Sequence, residues 1–196
     1  MKILIGTNNQ DKLKQFQRIF EDLGADVELV SLAEAGITDD VEEDADNILD
    51  NAKKRAKFYA EKSGLLALSD DLGLFVDALG GEPGVHAKRW HDGTEHDRCL
   101  KLQERLKDVP AEKRTCRYTG VVSIYDPEKK EFWNYENNVE GFISDEFKGD
   151  LGFGYDPIFK FADGRHFAEF TDAERYVVSH RGKGVREFLK YIEHEN

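Results

Sequence analysis

Apolar and polar positions along the chain change period several times, and each change predicts an element. Residues 2–7 form a short apolar run, the pattern of a buried strand. In residues 9–24 the apolar positions Leu13, Phe16, Phe20 and Leu23 fall at helical spacing, and Gly24 ends the helix. Residues 26–32 alternate and are β-branched, which predicts a second strand. A helix follows over 46–63, with Ile48, Leu49, Ala52, Ala56 and Tyr59 on one face and Gly64 at its end. Residues 65–69 read as a third strand, and GGEPG at 80–84 as a turn. A helix over 94–107 turns Cys99, Leu102 and Leu106 inward. Residues 115–125 and 131–143 flank the turn DPEKK as a long antiparallel hairpin. A short strand over 158–161 and a C-terminal helix with Val185, Phe188, Leu189 and Ile192 on one face complete the chain. The βαβ opening favours an α/β fold. With no internal repeat and no linker, one domain over 1–196 is expected.

Composition narrows the class. Hydrophobic residues make up 39% and charged residues 35% of the 196, the balance of a soluble globular chain. The net charge of −12 argues against a nucleic-acid-coating protein, which needs a basic face. It leaves room for an anionic small molecule, because a few local cations or a metal reverse the field in one place. The two cysteines, Cys99 and Cys116, form no CxxC or Cys/His cluster, as expected of buried thiols in a cytoplasmic protein. The N-terminus turns polar after five residues, unlike a signal peptide, and no apolar run approaches the length of a membrane span.

Four segments carry candidate chemistry. Thr7, Asn8, Asn9 and Lys12 sit where a strand gives way to a helix, and helix N-termini present unpaired N–H groups to anions. The same pattern serves as an Asn N-cap with an exposed lysine. Glu42-Glu43 and Asp70-Asp71 are acidic pairs suited to a hard cation such as Mg²⁺. Glu42-Glu43 alone reads better as a solvated charge run. Asp70-Asp71 lies between apolar runs, where ionised groups cost free energy unless cations or donors compensate. Gly152 to Pro157, GFGYDP, flanks an aromatic with glycines, so Phe153 either stacks on a flat ligand or plugs the core. SHRGKG, from Ser179, opens the last helix with His180 and Arg181. A basic start is disfavoured by the helix dipole, which points to an anionic or carbonyl-bearing ligand there. Arg55, Lys88, Arg89 and Arg175 are further candidate cations. No P-loop, GxGxxG, GxSxG or HExxH pattern occurs.

Together TNNxxK, SDDxGLxVDALGGxPGV, GFGYDPIF and SHRGK, in this order, resemble the inosine triphosphate pyrophosphatase family over residues 2 to about 190. The resemblance implies an elongated mixed β-sheet with flanking helices, two lobes around a central nucleotide cleft, and usually a homodimer. It implies a Mg²⁺-dependent hydrolase that splits ITP, dITP or XTP into the monophosphate and pyrophosphate. Thr7, Asn8, Asn9 and Lys12 resemble its triphosphate turn. Asp71 resembles its catalytic aspartate, and Glu42, Glu43, Asp70 and Asp71 its acidic metal site. Phe153 resembles the residue that stacks on the base, with Gly154, Tyr155 and Asp156 completing that wall. His180 and Arg181 would face the purine, and Arg55, Leu72, Arg89 and Arg175 complete the expected substrate-binding set. Four positions depart from the family pattern: Leu72 stands for serine, Arg55 and Arg175 for lysine, and Gln15 for glutamate. Two other readings are a pyrophosphatase for other modified nucleotides and a nucleotide-binding sensor that does not hydrolyse.

Overall fold

A computed structural model describes residues 1–195. Strand β1 (Lys2–Ile5) buries Ile3, Leu4 and Ile5 completely. Helix α1 (Gln10–Asp22) starts where the Asn9 side chain accepts the N–H groups of Asp11 and Lys12, at 2.9 and 3.1 Å. It buries Leu13, Phe16, Ile19 and Phe20. Strand β2 (Glu28–Ser31) follows, then helix α2 (Ile48–Ser63), capped by Asn47 and closed by Gly64 in the left-handed conformation at φ +70°. Strand β3 (Leu66–Val76) leads to β4 (Pro83–Gly84), α3 (Glu95–Leu106), β5 (Thr115–Asp126), β6 (Glu131–Ile143) and β7 (Phe159–Lys160). Helices α4 (Asp172–Val178) and α5 (His180–Glu195) close the chain.

The strands form one mixed sheet in the order β2-β1-β3-β5-β6-β7, with β4 beside β3. β1 runs parallel to both β2 and β3, as the βαβ reading requires, while β4 is antiparallel to β3 and β7 to β6. By contacts the chain divides into two units, one of Met1–Asp71, Gly120–Asn137 and the residues from Ser179 on, the other of Leu72–Thr119 and Asn138–Val178. In the first unit, Leu4, Ala56, Tyr59, Ala60 and Ala67 pack together beneath α2. In the second, Leu74, Cys99, Leu102, Leu106, Tyr118, Phe159 and Phe167 are central to the core. No helix among the described residues is long and apolar enough to cross a membrane.

Three local expectations change. The third strand does not end at Ser69: β3 runs for 11 residues straight through Asp70 and Asp71. Carboxylates break a buried strand only where nothing compensates them, and here both are hydrogen-bonded. The GGEPG turn folds back into β4, which pairs Pro83 with Phe75 and Gly84 with Leu74. Helix α4 gave no clear signal because it is only 7 residues long and leaves Val177 60% exposed.

The second core sets a stability scale. Leu102→Ala is expected to cost about 2–5 kcal/mol in a urea unfolding series, because its cavity cannot collapse. The exposed neighbour Leu100→Ala should change stability by no more than about 0.5 kcal/mol.

Candidate active site

Successive side chains of a strand point to opposite faces of the sheet. The adjacent carboxylates of β3 therefore part company. Asp70 meets α1 and α5, and Asp71 meets α2.

Asp70 is 1% exposed. Its Oδ2 accepts Arg181 Nε–H at 2.9 Å and lies 2.8 Å from Arg181 Nη2 and 3.1 Å from His180 Nε2. Its Oδ1 lies 3.1 Å from Lys12 Nζ. Burial alone would raise its pKa, but Arg181, Lys12 and the His180 hydrogen bond outweigh burial and hold the carboxyl well below its usual range. For Lys12 burial wins: its pKa is lowered, with Asp70 opposing and Arg181 adding to the effect. Burial likewise pushes His180 down to about 4, so the imidazole is neutral at pH 7 and Nε2–H donates to Asp70. The anion that the basic helix start faces is the protein's own Asp70, where the sequence pointed to a ligand. Ser179 caps that start by accepting Gly182 N–H at 3.2 Å, and Arg181 Nη1 donates to Gln15 at 2.7 Å. A glutamate at position 15 would make that contact a second ion pair.

Asp71 is also buried, at 8% exposure. Asn51 Nδ2 donates to it at 3.2 Å, and Asn51 Oδ1 accepts the backbone N–H of Ala45 at 3.0 Å. One amide therefore ties the acidic loop to the carboxylate. One turn further along α2, Arg55 donates to Glu43 and to the Gly6 carbonyl, the latter at 2.9 Å. Glu43 is half-buried, whereas Glu42 is exposed. The four carboxylates proposed for a metal are thus not one cluster, and among the described residues no three His, Cys, Asp or Glu side chains gather to hold an ion. Asp71 and Glu43 remain the oxygen donors that suit a hard cation. A neutral amide orients Asp71 without cancelling its charge, and Mg²⁺ takes few protein ligands, drawing the rest from phosphate and water.

The triphosphate turn is structured from within. Thr7 Oγ1 accepts Asn9 N–H at 3.2 Å, Asn9 caps α1, and Asn8 is exposed. In the second unit, Leu72 is half-buried against the apolar core, so its side chain serves packing there. Arg89 is exposed and lies 3.0 Å from His86 Nδ1. Lys88 is exposed as well. Tyr155 is buried and donates to the Ala87 carbonyl at 2.9 Å. Phe153 and Gly154 are half-buried, and Gly154 takes φ +67°. Asp156 is buried with Arg175 and Tyr118. Burial pushes its pKa up, with Arg175 opposing.

Two residues of the site escaped the sequence reading. Asn51 lies on the buried stripe of α2 with Ile48, Ala52 and Arg55, and a polar residue on an apolar stripe was the available signal. Gly120 gave none. On β5, it leaves room for the His180 ring, which a Cβ there would overlap.

Asp70→Asn is expected to cost about 3–5 kcal/mol of unfolding free energy, because it strands buried cations, measured by chemical denaturation. Gly120→Ala should displace His180 and lower the melting temperature by several degrees, the shift of roughly 1 kcal/mol or more. An unchanged histidine resonance in this variant would show that the ring has other room.

The sequence matches the model of the Ham1 family over residues 3–191. It is 39% identical over 191 residues to the dITP/XTP pyrophosphatase of Symbiobacterium thermophilum, covering 97% of this chain and 94% of that protein. To the dITP/XTP pyrophosphatase of Bacillus subtilis it is 36% identical over 193 residues, covering 97% and 96%. The fold superposes on the Staphylococcus aureus Ham1 protein with a TM-score of 0.86 at 29% identity over 100% of both chains. On a match that runs almost end to end in sequence and in fold, the chain belongs to the Ham1 family.

Proposed function

We propose that this protein is a Mg²⁺-dependent pyrophosphohydrolase that splits non-standard purine nucleoside triphosphates, ITP, dITP and XTP, into the monophosphate and pyrophosphate. The observation that carries the reading is the placement of Asp71: it is buried, oriented by Asn51, and tied through that amide to the loop of Glu43. Relatives named dITP/XTP pyrophosphatase at 36% to 39% identity support the substrate class.

In this reading a water attacks the α-phosphorus, the bond to the pyrophosphate oxygen breaks, and Asp71 takes the proton from the water. Mg²⁺ held by Asp71 and Glu43 would neutralise phosphate charge and lower the pKa of bound water. Asp70 works through others, fixing Lys12 and Arg181 by charge and the neutral His180 by a hydrogen bond. Phe153 stacks on the base. Arg181 donates only, so its guanidinium suits the 6-keto oxygen of hypoxanthine or xanthine and not the 6-amino group of adenine. Leaving a buried donor unpaired costs about 1–3 kcal/mol, roughly ten- to a hundredfold in selectivity. By the same resemblance the protein works as a homodimer, and its two unpaired cysteines suit the cytoplasm.

The test is a turnover panel of ITP, XTP, GTP, ATP and dUTP with Mg²⁺, scored for pyrophosphate against orthophosphate. Pyrophosphate from ITP and XTP is expected, and EDTA should abolish it. Release of orthophosphate, or turnover of dUTP alone, would replace this reading. Asp71→Asn should lower kcat by about 10²–10⁴ while the variant stays folded.

A further inference from the structure

Arg175 was expected among the substrate cations, but its surroundings give it another task. It is 8% exposed, and its guanidinium is divided among three acceptors of its own unit. Nη1 donates to Asp156 Oδ2 at 2.9 Å. Nη2 donates to the carbonyls of Phe167 at 2.6 Å and Leu151 at 3.3 Å. The charged plane also lies over the Phe167 ring, 4.4 Å from its centre.

The acceptors are not incidental. Asp156 Oδ2 also accepts the backbone N–H of Phe153 at 3.0 Å, and Oδ1 accepts the Tyr118 hydroxyl at 3.0 Å. Leu151, Phe153 and Asp156 are three points of the loop LGFGYD, residues 151–156. Between them, Gly152 takes φ +83°, and a Cβ there would strike both the Arg175 guanidinium and the Asp156 carboxylate. On its other side the loop is held by α3, where Gly154 N–H donates to Glu95 at 2.8 Å and the Gly154 carbonyl lies 3.4 Å from Cys99 Sγ. A planar fork can serve a carboxylate and two carbonyls together, whereas a lysine ammonium is a single point.

We propose that Arg175 is a positioning residue. By clamping Asp156 and the Leu151 and Phe167 carbonyls it fixes the loop that carries Phe153. It thereby sets affinity for the nucleoside end of the substrate without contacting the phosphates. The inference rests on the proposed stacking of Phe153 on the base. Removing the guanidinium frees the Asp156 carboxylate, loosens the Phe153 N–H bond, and leaves the Lys12 and Asp71 groups unaltered.

The test compares wild type, Arg175→Lys and Arg175→Met with two competitive inhibitors of ITP turnover, inosine and inorganic tripolyphosphate. Arg175→Met should raise KM for ITP and Ki for inosine about tenfold, the scale of one lost charge-assisted hydrogen bond, with kcat and the tripolyphosphate Ki nearly unchanged. Arg175→Lys, which keeps the charge and one contact, should fall in between. Amide hydrogen exchange in Arg175→Lys should quicken across 151–156 and not in β1 or α1, which gives a second reading should the methionine variant not fold. A weaker tripolyphosphate affinity with inosine unchanged would make Arg175 a phosphate ligand and overturn the proposal. Unaltered exchange and KM in both variants would overturn it as well. Failure of wild type to hydrolyse ITP and XTP would instead remove the nucleotide reading on which it rests.

Discussion

A carboxylate in the middle of a buried strand is the constraint around which the first unit is organised. Asp70 is almost wholly out of water, in a strand that also buries Ala67, Leu68, Leu74 and Val76. An ionised group there is tolerated only if charge and hydrogen bonds are returned to it. Helix α1 supplies Lys12, and the first turn of α5 supplies His180 and Arg181. The two helices that cover this face of the sheet are thus fastened to one side chain of β3. The absence of a side chain at Gly120 completes the arrangement by leaving room for the imidazole. The helix dipole disfavours cations at the start of α5, and Asp70 compensates for that placement.

Asp70 is committed to cations, and in the proposed reading the chemistry falls to its neighbour. Strand geometry turns Asp71 away to the opposite face, where Asn51 orients it with a neutral hydrogen bond. The same amide holds the acidic loop at Ala45. Two identical residues adjacent in sequence thereby meet different surroundings, one cationic and one a neutral amide. A comparable division appears in the second unit. There Arg175 and Asp156 form a buried pair that shapes a loop, and Phe153 is what that loop carries.

Much of the architecture was legible because local signals agreed with tertiary packing. The helical spacing of Leu13, Phe16 and Phe20, the Asn cap before α1 and the Gly64 stop each appear as read, whereas the Asn47 cap of α2 emerged only in the structure. The hairpin around DPEKK is likewise present as β5 and β6. Less legible was what happens where a pattern is broken for a reason distant in sequence. The strand at Leu66 continues through two aspartates because His180 and Arg181, 110 and 111 positions from Asp70, and Asn51, 20 positions from Asp71, partner them. Arg55 and Arg175 carry charge that invites a phosphate reading, and only their buried partners assign them to the protein's own acceptors.

The sequence by itself determined the order of elements, the α/β class, and which residue types could perform phosphoryl chemistry. Those properties follow from hydrophobic period, caps and motif spacing, all local in the chain. The tertiary structure alone decided which of Asp70 and Asp71 is neutralised, that Asn51 and Gly120 belong to the site, and that Leu72 packs into a core. Charge compensation and steric room depend on which atoms lie within a few ångströms, and the chain brings those atoms together only when the sheet and its helices have formed.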